Sequence, residues 1–213
     1  MMRFTLIAAL AGALVLSACG SASDNPLRGI LANSLKKLTS RNEPQQVLTL
    51  DILRARLTPE LRAQIGVPIL LVEFPKQKVA AAVSEVGRNG NVTTWWAEDG
   101  VGFSTKNGLL ISTRGIGFDL MSSDVSGPLA LISARQNGTA TRDHRFLDGE
   151  NQEVLLRFSC TYLSSKSHVI ESCAAKDLKI ENQYWLDASG EIWRSKQWAG
   201  EKNGYMVIEN TPG

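Results

Sequence analysis

Three cysteines are the residues of this sequence with the clearest chemistry, and the first lies near the N-terminus. Cys19 directly follows Leu16-Ser17-Ala18, which ends an apolar run over residues 4–16 behind a positive start at Arg3. A membrane-spanning helix needs roughly 20 apolar residues, so this shorter run is typical of an export signal. Because small residues precede the cysteine, as in a lipobox, we predict a lipoprotein signal peptide over residues 1–18 and a lipid on Cys19.

The residues after Cys19 indicate where the lipid would hold the protein. Gly20 follows the cysteine, whereas an aspartate at that position is the usual signal for retention in the inner membrane. We therefore expect an anchor in the outer membrane, on its periplasmic face. Residues 19–25 are small and polar, which predicts a lipidated N-terminus and a flexible tether. The remaining residues, 26–213, are then a periplasmic domain.

The other two cysteines, Cys160 and Cys173, would lie in an oxidising compartment once Cys19 carries lipid. Disulfides form and persist in such compartments, so we predict that these two residues pair. Closing a loop of this size constrains the unfolded chain by about 3 kcal/mol. Two free thiols are the alternative.

The densest local motif lies around two glycines one residue apart, Gly115 and Gly117. Glycines at this spacing allow a sharp turn or the close approach of another chain. Arg114 and Asp119 flank them and could close the turn as an ion pair. A third glycine and a following helix, both needed for dinucleotide binding, are missing. The motif is therefore interpreted as a structural corner or, alternatively, as a binding motif.

Five tryptophans supply candidate binding surfaces, because indole rings stack on sugar faces and anchor protein interfaces. Most aromatic side chains on strands pack in a core, which is the alternative. Adjacent side chains alternate across a strand, so an adjacent pair cannot have both rings on one face. One ring of the only adjacent pair is thus expected to point outward. The five are Trp95, Trp96, Trp185, Trp193 and Trp198.

Catalytic and metal-binding patterns are weak in this sequence. Of the two histidines, His144 follows Arg142-Asp143 on a predicted strand, where a solvated or ladder role is expected. No nucleophile elbow, phosphate-binding loop or zinc spacing occurs, so we predict no catalytic residues, no metal and no cofactor. The net charge of +2 without a basic cluster predicts no nucleic-acid partner. The alternative is a carboxylate-based enzyme, with Asp119, Asp124, Asp143 and Glu153 as candidates.

The elements that must position these residues are mainly strands. Short apolar or alternating runs begin at Val67 and recur about every ten residues, with turn signals such as Asn107-Gly108 between them. This pattern predicts a mainly β fold, an antiparallel sandwich or barrel-like sheets, compatible with two related halves divided near residue 125. Residues 129–134 are among the predicted strands. One or two short N-terminal helices are expected, over residues 26–38 and from Thr58 to Gly66.

Three separated blocks make the chain resemble a known family. The most specific block is residues 107–124, which contain Thr113-Arg114-Gly115-Ile116-Gly117-Phe118-Asp119-Leu120. The second is residues 157–160 with 171–173, and the third is residues 181–185 with 190–198. Together, behind a lipobox, they are similar to the YjbF/GfcB family, the group 4 capsule polysaccharide lipoproteins. Ile116 and Lys196 stand where leucine and arginine are common.

The resemblance implies a mainly β periplasmic lipoprotein that acts beside the export machinery for capsule or exopolysaccharide. It brings no catalytic residues. The implied partners are an outer-membrane β-barrel protein or another polysaccharide-secretion protein, with the polysaccharide itself as a further candidate. We therefore expect a protein that assists polysaccharide export or assembly by binding. A polysaccharide-modifying enzyme and a purely structural envelope lipoprotein are the alternatives.

Overall fold

The computed structural model describes residues 48–147, 150 and 152–210. The predicted signal peptide, Cys19, the tether and the predicted helix over residues 26–38 lie outside the described residues. The described residues therefore make up most of the predicted β domain.

A single antiparallel sheet of twelve strands dominates the described part of the chain. The strands are β1 (Ile69–Phe74), β2 (Val79–Asn89), β3 (Val92–Trp96), β4 (Gly102–Lys106), β5 (Leu109–Arg114), β6 (Leu120–Asp124), β7 (Gly138–Leu147), β8 (Glu153–Ser164), β9 (His168–Ala175), β10 (Leu178–Leu186), β11 (Ile192–Trp198) and β12 (Tyr205–Asn210). Their order is β5-β4-β3-β2-β1-β12-β11-β10-β9-β8-β7-β6.

This order curls the sheet into a nearly closed barrel. The first and last strands pair side by side, with Val72 opposite Ile208. The two strands at the ends of the order, β5 and β6, follow each other in the chain and meet along a seam. The prediction of a mainly β, barrel-like antiparallel sheet is confirmed. The division near residue 125 stays a prediction.

Turn chemistry explains much of the strand layout. Asn107 and Gly108 connect β4 and β5 with φ values of 49° and 85°. Positive φ at both central residues of a two-residue hairpin loop is the geometry that Asn-Gly adopts readily. Gly108 also lies close to Ile192, since a Cβ added to it would lie 3.1 Å from the Ile192 Cβ atom.

Two short helices precede the sheet, α1 (Leu50–Arg56) and α2 (Pro59–Ile65). The second is the predicted one, with the Thr58 hydroxyl accepting from the Leu61 amide and Gly66 ending the helix at φ 69°. The first was not predicted, although Thr49 caps it. Both helices pack on the outer face of the sheet, around Leu71 and Val207.

A third helix, α3 (Ser126–Ala134), corrects the strand predicted over residues 129–134. An apolar run of this length fits a buried strand or a buried helix equally well, so periodicity alone did not separate the two. Its Ile132 is fully buried against the sheet. None of the three described helices has the length and hydrophobicity required to cross a bilayer.

The barrel has two ends, which we name by what lies there. The motif end carries the loop with Gly115 and Gly117, tied to the β11–β12 loop because Asn203 donates to the Gly117 carbonyl at 2.8 Å. The cleft end carries the Asn107-Gly108 turn and α3. Each end holds a cavity.

Candidate functional site

A polar cleft opens at the cleft end, in the mouth of the barrel. Its volume is about 510 Å³, which lies within the range of roughly 300–1,000 Å³ typical of small-ligand sites. Strands β1 to β4 and the Asn107-Gly108 turn supply one wall, and β11, β12 and α3 supply the other. The close approach of Gly108 to Ile192 narrows the mouth between the two walls.

Two of the predicted tryptophans line this cleft. Trp95 is 7% exposed, and its indole Nε1 donates to the Thr105 hydroxyl at 3.1 Å. Trp193 is 36% exposed and lies on the opposite wall. The cleft thus brings together two aromatic rings that are nearly a hundred positions apart in the sequence.

Hydroxyl and amide side chains complete the polar lining, among them Asn91, Thr93, Thr105 and Ser195. Within the part of the chain that the structure describes, no protein group bonds the Thr93 hydroxyl or the Asn91 side-chain amide. The Thr105 hydroxyl accepts a hydrogen bond from the Trp95 indole, so its own O–H remains available to donate to a ligand. The cleft therefore offers both donors and acceptors to a ligand.

The other three tryptophans do not share this cleft. Trp96 points outward, as predicted for one member of the adjacent pair, and its 47% exposed ring covers Gly102. Trp185 stacks on His168 with ring centroids 4.8 Å apart. Trp198 is buried and stacks on His144 at 5.6 Å.

The Gly115–Gly117 motif forms the turn that joins the two seam strands. The Asp119 carboxylate accepts from the Thr113 hydroxyl at 3.0 Å and from the amides of Gly115 and Ile116 at 2.9 and 3.2 Å. Thr113 in turn accepts from the Leu120 amide at 2.9 Å. Arg114 is exposed, and the ion pairs between described residues do not include one with Asp119. The expected ion pair is therefore replaced by bonds to the backbone and to Thr113, which supports the structural-corner interpretation.

Further along the seam, interior side chains bind the backbone of β5. The Leu110 amide donates to Gln197 Oε1 at 2.8 Å, and Gln197 Nε2 donates to the Gly108 carbonyl at 2.8 Å. Arg142 Nη2 donates to the Leu110 carbonyl at 3.2 Å. Because an edge strand presents backbone groups without strand partners, these side chains take the place of a neighbouring strand.

Arg142 also belongs to a fully buried polar network that we call the interior network. It comprises Arg142, His144, Tyr162, Glu171, Asn182 and Tyr184, all of them 0% exposed. Arg142 Nη1 donates to Glu171 at 2.8 Å, and both tyrosine hydroxyls and the Asn182 amide donate to the same carboxylate at 2.5–2.7 Å. Every oxygen of this buried carboxylate is thus bound.

Burial and neighbours fix the charges in the interior network. Burial would raise the pKa of Glu171, but the Arg142 charge and three hydrogen bonds hold that pKa below its ordinary value. Burial, and then the Arg142 charge, lower the pKa of His144 well below 6.5. His144 is therefore neutral, with its Nε2 accepting from Arg142 Nε at 2.9 Å. This corrects the expected solvated or ladder role of His144.

The disulfide between Cys160 and Cys173 is present and packs beside this network. The two residues face each other on β8 and β9, with Cα atoms 4.0 Å apart. Their sulfurs and a Glu171 carboxylate oxygen lie within 4.8 Å of one another. Disulfide sulfurs are not thiolates, so this cluster is not a ligand set for a metal in its oxidised form.

Of the four carboxylates proposed for an enzyme, Asp124 and Asp143 are opposite each other on β6 and β7, whereas Asp119 and Glu153 lie elsewhere. Asp119 closes the motif turn, and Asp124 accepts from the Ser126 amide at 3.0 Å. Asp143 pairs with Arg157 at 2.6 Å, and Glu153 pairs with Arg145 at 3.4 Å. Each is engaged with its own partner, and none of the four lines the cleft.

Two other cavities differ from the cleft in chemistry. At the motif end, a cavity of about 210 Å³ is lined mainly by apolar side chains such as Val83, Phe103 and Met206. Beside it, exposed Phe118 borders a shallow apolar groove with Phe146 and Trp198. Neither cavity combines indole rings with amide and hydroxyl groups in the manner of the cleft.

Sequence reasoning missed the interior network and most of the polar lining of the cleft. Arg142, His144 and the apolar Phe146 are every second residue of β7, so their side chains lie on the same inward face of the strand. The same holds for Glu171 between Val169 and Cys173 on β9. That shared face is the signal that could have revealed buried polar side chains.

Comparisons with known proteins bear on both fold and function. A family model described as "Group 4 capsule polysaccharide lipoprotein gfcB, YjbF" matches residues 52–210. The crystal structure of the hypothetical lipoprotein YmcC from Escherichia coli (K12) is similar, with a TM-score of 0.63 and 18% sequence identity. The similarity covers 80% of this chain and 99% of that chain, and at this identity it shows the fold alone. No curated protein matches the sequence.

Proposed function

Because the chain belongs to the YjbF family of group 4 capsule polysaccharide lipoproteins, we propose that it assists the export or assembly of a capsule polysaccharide or exopolysaccharide. The family match over residues 52–210 is the observation that carries this proposal. The protein acts by binding, at the periplasmic face of the outer membrane, and is held there by lipid on Cys19. It has no catalytic role in this proposal.

The motif end supports binding to a protein partner. Phe118 is 60% exposed, and Leu147 and Val154 beside it are more than one-third exposed. Clustered apolar side chains on a surface are typical of interaction sites. A polysaccharide-secretion protein of the outer membrane, such as a β-barrel protein, is the partner we propose for this surface.

Deletion of the gene tests the proposed function. We expect less surface polysaccharide, or chains of altered length, and restoration by a plasmid copy of the gene. A Cys19→Ala copy should restore much less, because the protein would no longer be anchored, and fractionation should place it outside the membranes. Unchanged amounts and chain lengths in the deletion strain would overturn the proposal.

Pull-down from detergent-solubilised membranes tests the partner. The intact lipoprotein should retain an outer-membrane secretion protein, and Phe118→Asp should retain much less of it. Leu163→Asp is the matched control, since Leu163 is as exposed as Phe118, at 59%, but lies on β8 at the cleft end. Equal recovery with all three proteins would remove the motif end as the partner surface.

A further inference from the structure

We infer that the polar cleft binds a neutral oligosaccharide stretch of the polymer, a ligand assignment that rests on the proposed function and names what the protein would contact. The cleft is the largest polar cavity described above, at about 510 Å³. It lies at the opposite end of the barrel from the apolar surface around Phe118. Glycan and protein partner would therefore occupy different ends of the molecule.

The exposed ring of Trp193 fits the face of a sugar ring, and the buried ring of Trp95 forms the floor of the cleft. The axial C–H groups of a pyranose form an apolar face that packs on an aromatic ring. Trp193 is the exposed platform, on the rim of the cleft. Trp95 lies deeper and is held by its bond to Thr105, so that its ring orientation is fixed before a ligand arrives.

The hydroxyl and amide groups fit the edges of sugar rings. Each sugar hydroxyl both donates and accepts, and so does each threonine hydroxyl or asparagine amide in the cleft. The Thr93 hydroxyl is the most informative of these groups. The residue is only 5% exposed, but its hydroxyl is not one of the buried unpartnered atoms of the described residues, so this hydroxyl is open to the cleft. A ligand hydroxyl reaching Thr93 would satisfy it.

The charges around the cleft favour a neutral ligand. Arg88 and Glu191 are the charged residues of its lining. The Arg88 guanidinium is already bound by both oxygens of Glu85, at 3.0 and 2.7 Å. A polyanion would need unpaired cations along its path, which this lining does not supply.

Calorimetric titration of the full lipidated protein in detergent micelles tests the inference. The probes are maltohexaose, cellohexaose and chitohexaose as neutral chains, hexagalacturonate as a polyanion, and polysaccharide extracted from the surface of the source strain. We expect binding to at least one neutral chain or to the extract, and none to hexagalacturonate. Binding of hexagalacturonate alone, or of no probe, would overturn the inference.

Substitutions locate the site. Trp193→Ala should weaken binding roughly tenfold, as expected for loss of one aromatic anchor. Thr93→Val removes a hydroxyl at nearly constant shape and should weaken binding by a smaller but measurable factor, about threefold. Trp96→Ala on the outer face is the control and should bind like the parent. Thermal melts check that each variant is folded; folded variants that all bind equally would overturn the inference.

Complementation separates this inference from the proposed function. If the deletion strain loses polysaccharide and the folded Trp193→Ala and Thr93→Val proteins both restore it fully, the cleft inference fails while the function stands. If the deletion has no effect while the cleft variants still lose saccharide binding in the calorimeter, the proposed function fails while the site stands.

Discussion

At the scale of single residues, the charge of the buried Glu171 carboxylate should contribute strongly to the stability of the fold. Glu171→Gln removes the negative charge and leaves Arg142 as an unpaired cation at 0% exposure. Breaking a buried pair in this way costs about 3–5 kcal/mol. We expect that loss in the free energy of unfolding, measured by urea denaturation.

A matched control for Glu171 is Glu153→Gln. Glu153 pairs with Arg145, but its side chain is 62% exposed, so solvent screens the interaction. Exposed pairs contribute about 0–1 kcal/mol. Equal losses in the two variants would show that the interior network does not depend on the charge of Glu171.

The lowered pKa of His144 should make the stability of the protein depend on pH. Its folded-state pKa lies well below 6.5 because of burial and of the Arg142 charge. Below pH 6.5 the unfolded chain binds a proton that the folded chain does not bind. The free energy of unfolding should therefore fall by about 1.4 kcal/mol per pH unit as the pH drops from 6.5 towards 5.

Two variants isolate that slope. His144→Gln should flatten it, whereas His168→Gln should retain it. NMR tests the same prediction on the parent protein alone: the signals of the His144 ring should still be those of a neutral imidazole at pH 5. A His144 ring that titrates near pH 6.5 would contradict the prediction.

At the scale of elements, Asp119 holds the turn between β5 and β6. Asp119→Ala leaves the Thr113 hydroxyl and two amides without their acceptor. We expect a loss of about 1–3 kcal/mol in stability. Hydrogen exchange should become faster at the amides of Gly115 and Ile116.

The controls for this turn lie close to it. Asp99→Ala removes one exposed acceptor, bound by the Val101 amide, in the neighbouring β3–β4 loop. Arg114→Ala tests the ion pair that the structure does not contain. Both should change stability by less than the Asp119 variant, and an Arg114 effect of equal size would restore the ion-pair interpretation.

The disulfide joins β8 and β9 across 13 positions of sequence. Replacing both Cys160 and Cys173 by alanine should lower the free energy of unfolding by about 3 kcal/mol, because the unfolded chain gains conformational entropy. Parent protein unfolded in a reducing agent should match the double variant. If the reductant leaves the parent unchanged, the pair was not oxidised.

The elements could be predicted where local chemistry decides them. Thr58 and Gly66 mark α2, and Asn107-Gly108 marks a hairpin, because caps and positive-φ turns depend on near neighbours. The strand β6 was not predicted, and helix α3 was predicted as a strand. Both elements depend on how the seam between β5 and β6 closes. The cleft could not be predicted because strands far apart in the chain form its walls.

At the scale of the whole molecule, one sheet connects the start and the end of the described chain. Strand β1 pairs with β12, and Arg54 of α1 binds both oxygens of Glu209 at 2.8 and 2.9 Å. We therefore expect a single cooperative unfolding transition. Hydrogen exchange at rising urea concentrations should show residues 79–124 and 138–186 losing protection together.

Separate transitions in that experiment would support the division near residue 125. The two hydrophobic clusters inside the barrel do not follow that division strictly, since one includes Leu109 and the other includes Met206 and Ile208. Coincident circular dichroism and tryptophan fluorescence transitions are the simpler check. The tryptophans suit it, because Trp95 belongs to one cluster and Trp198 to the other.

The bonds from Gln197 and Arg142 to the backbone of β5 have a consequence for aggregation. Unsatisfied strand edges are templates on which a second chain can add a strand, and such addition leads to aggregation. Here the Leu110 amide and carbonyl are already taken by interior side chains. At Leu110 the barrel can thus remain slightly open along its seam without offering that part of the edge to an unfolded chain.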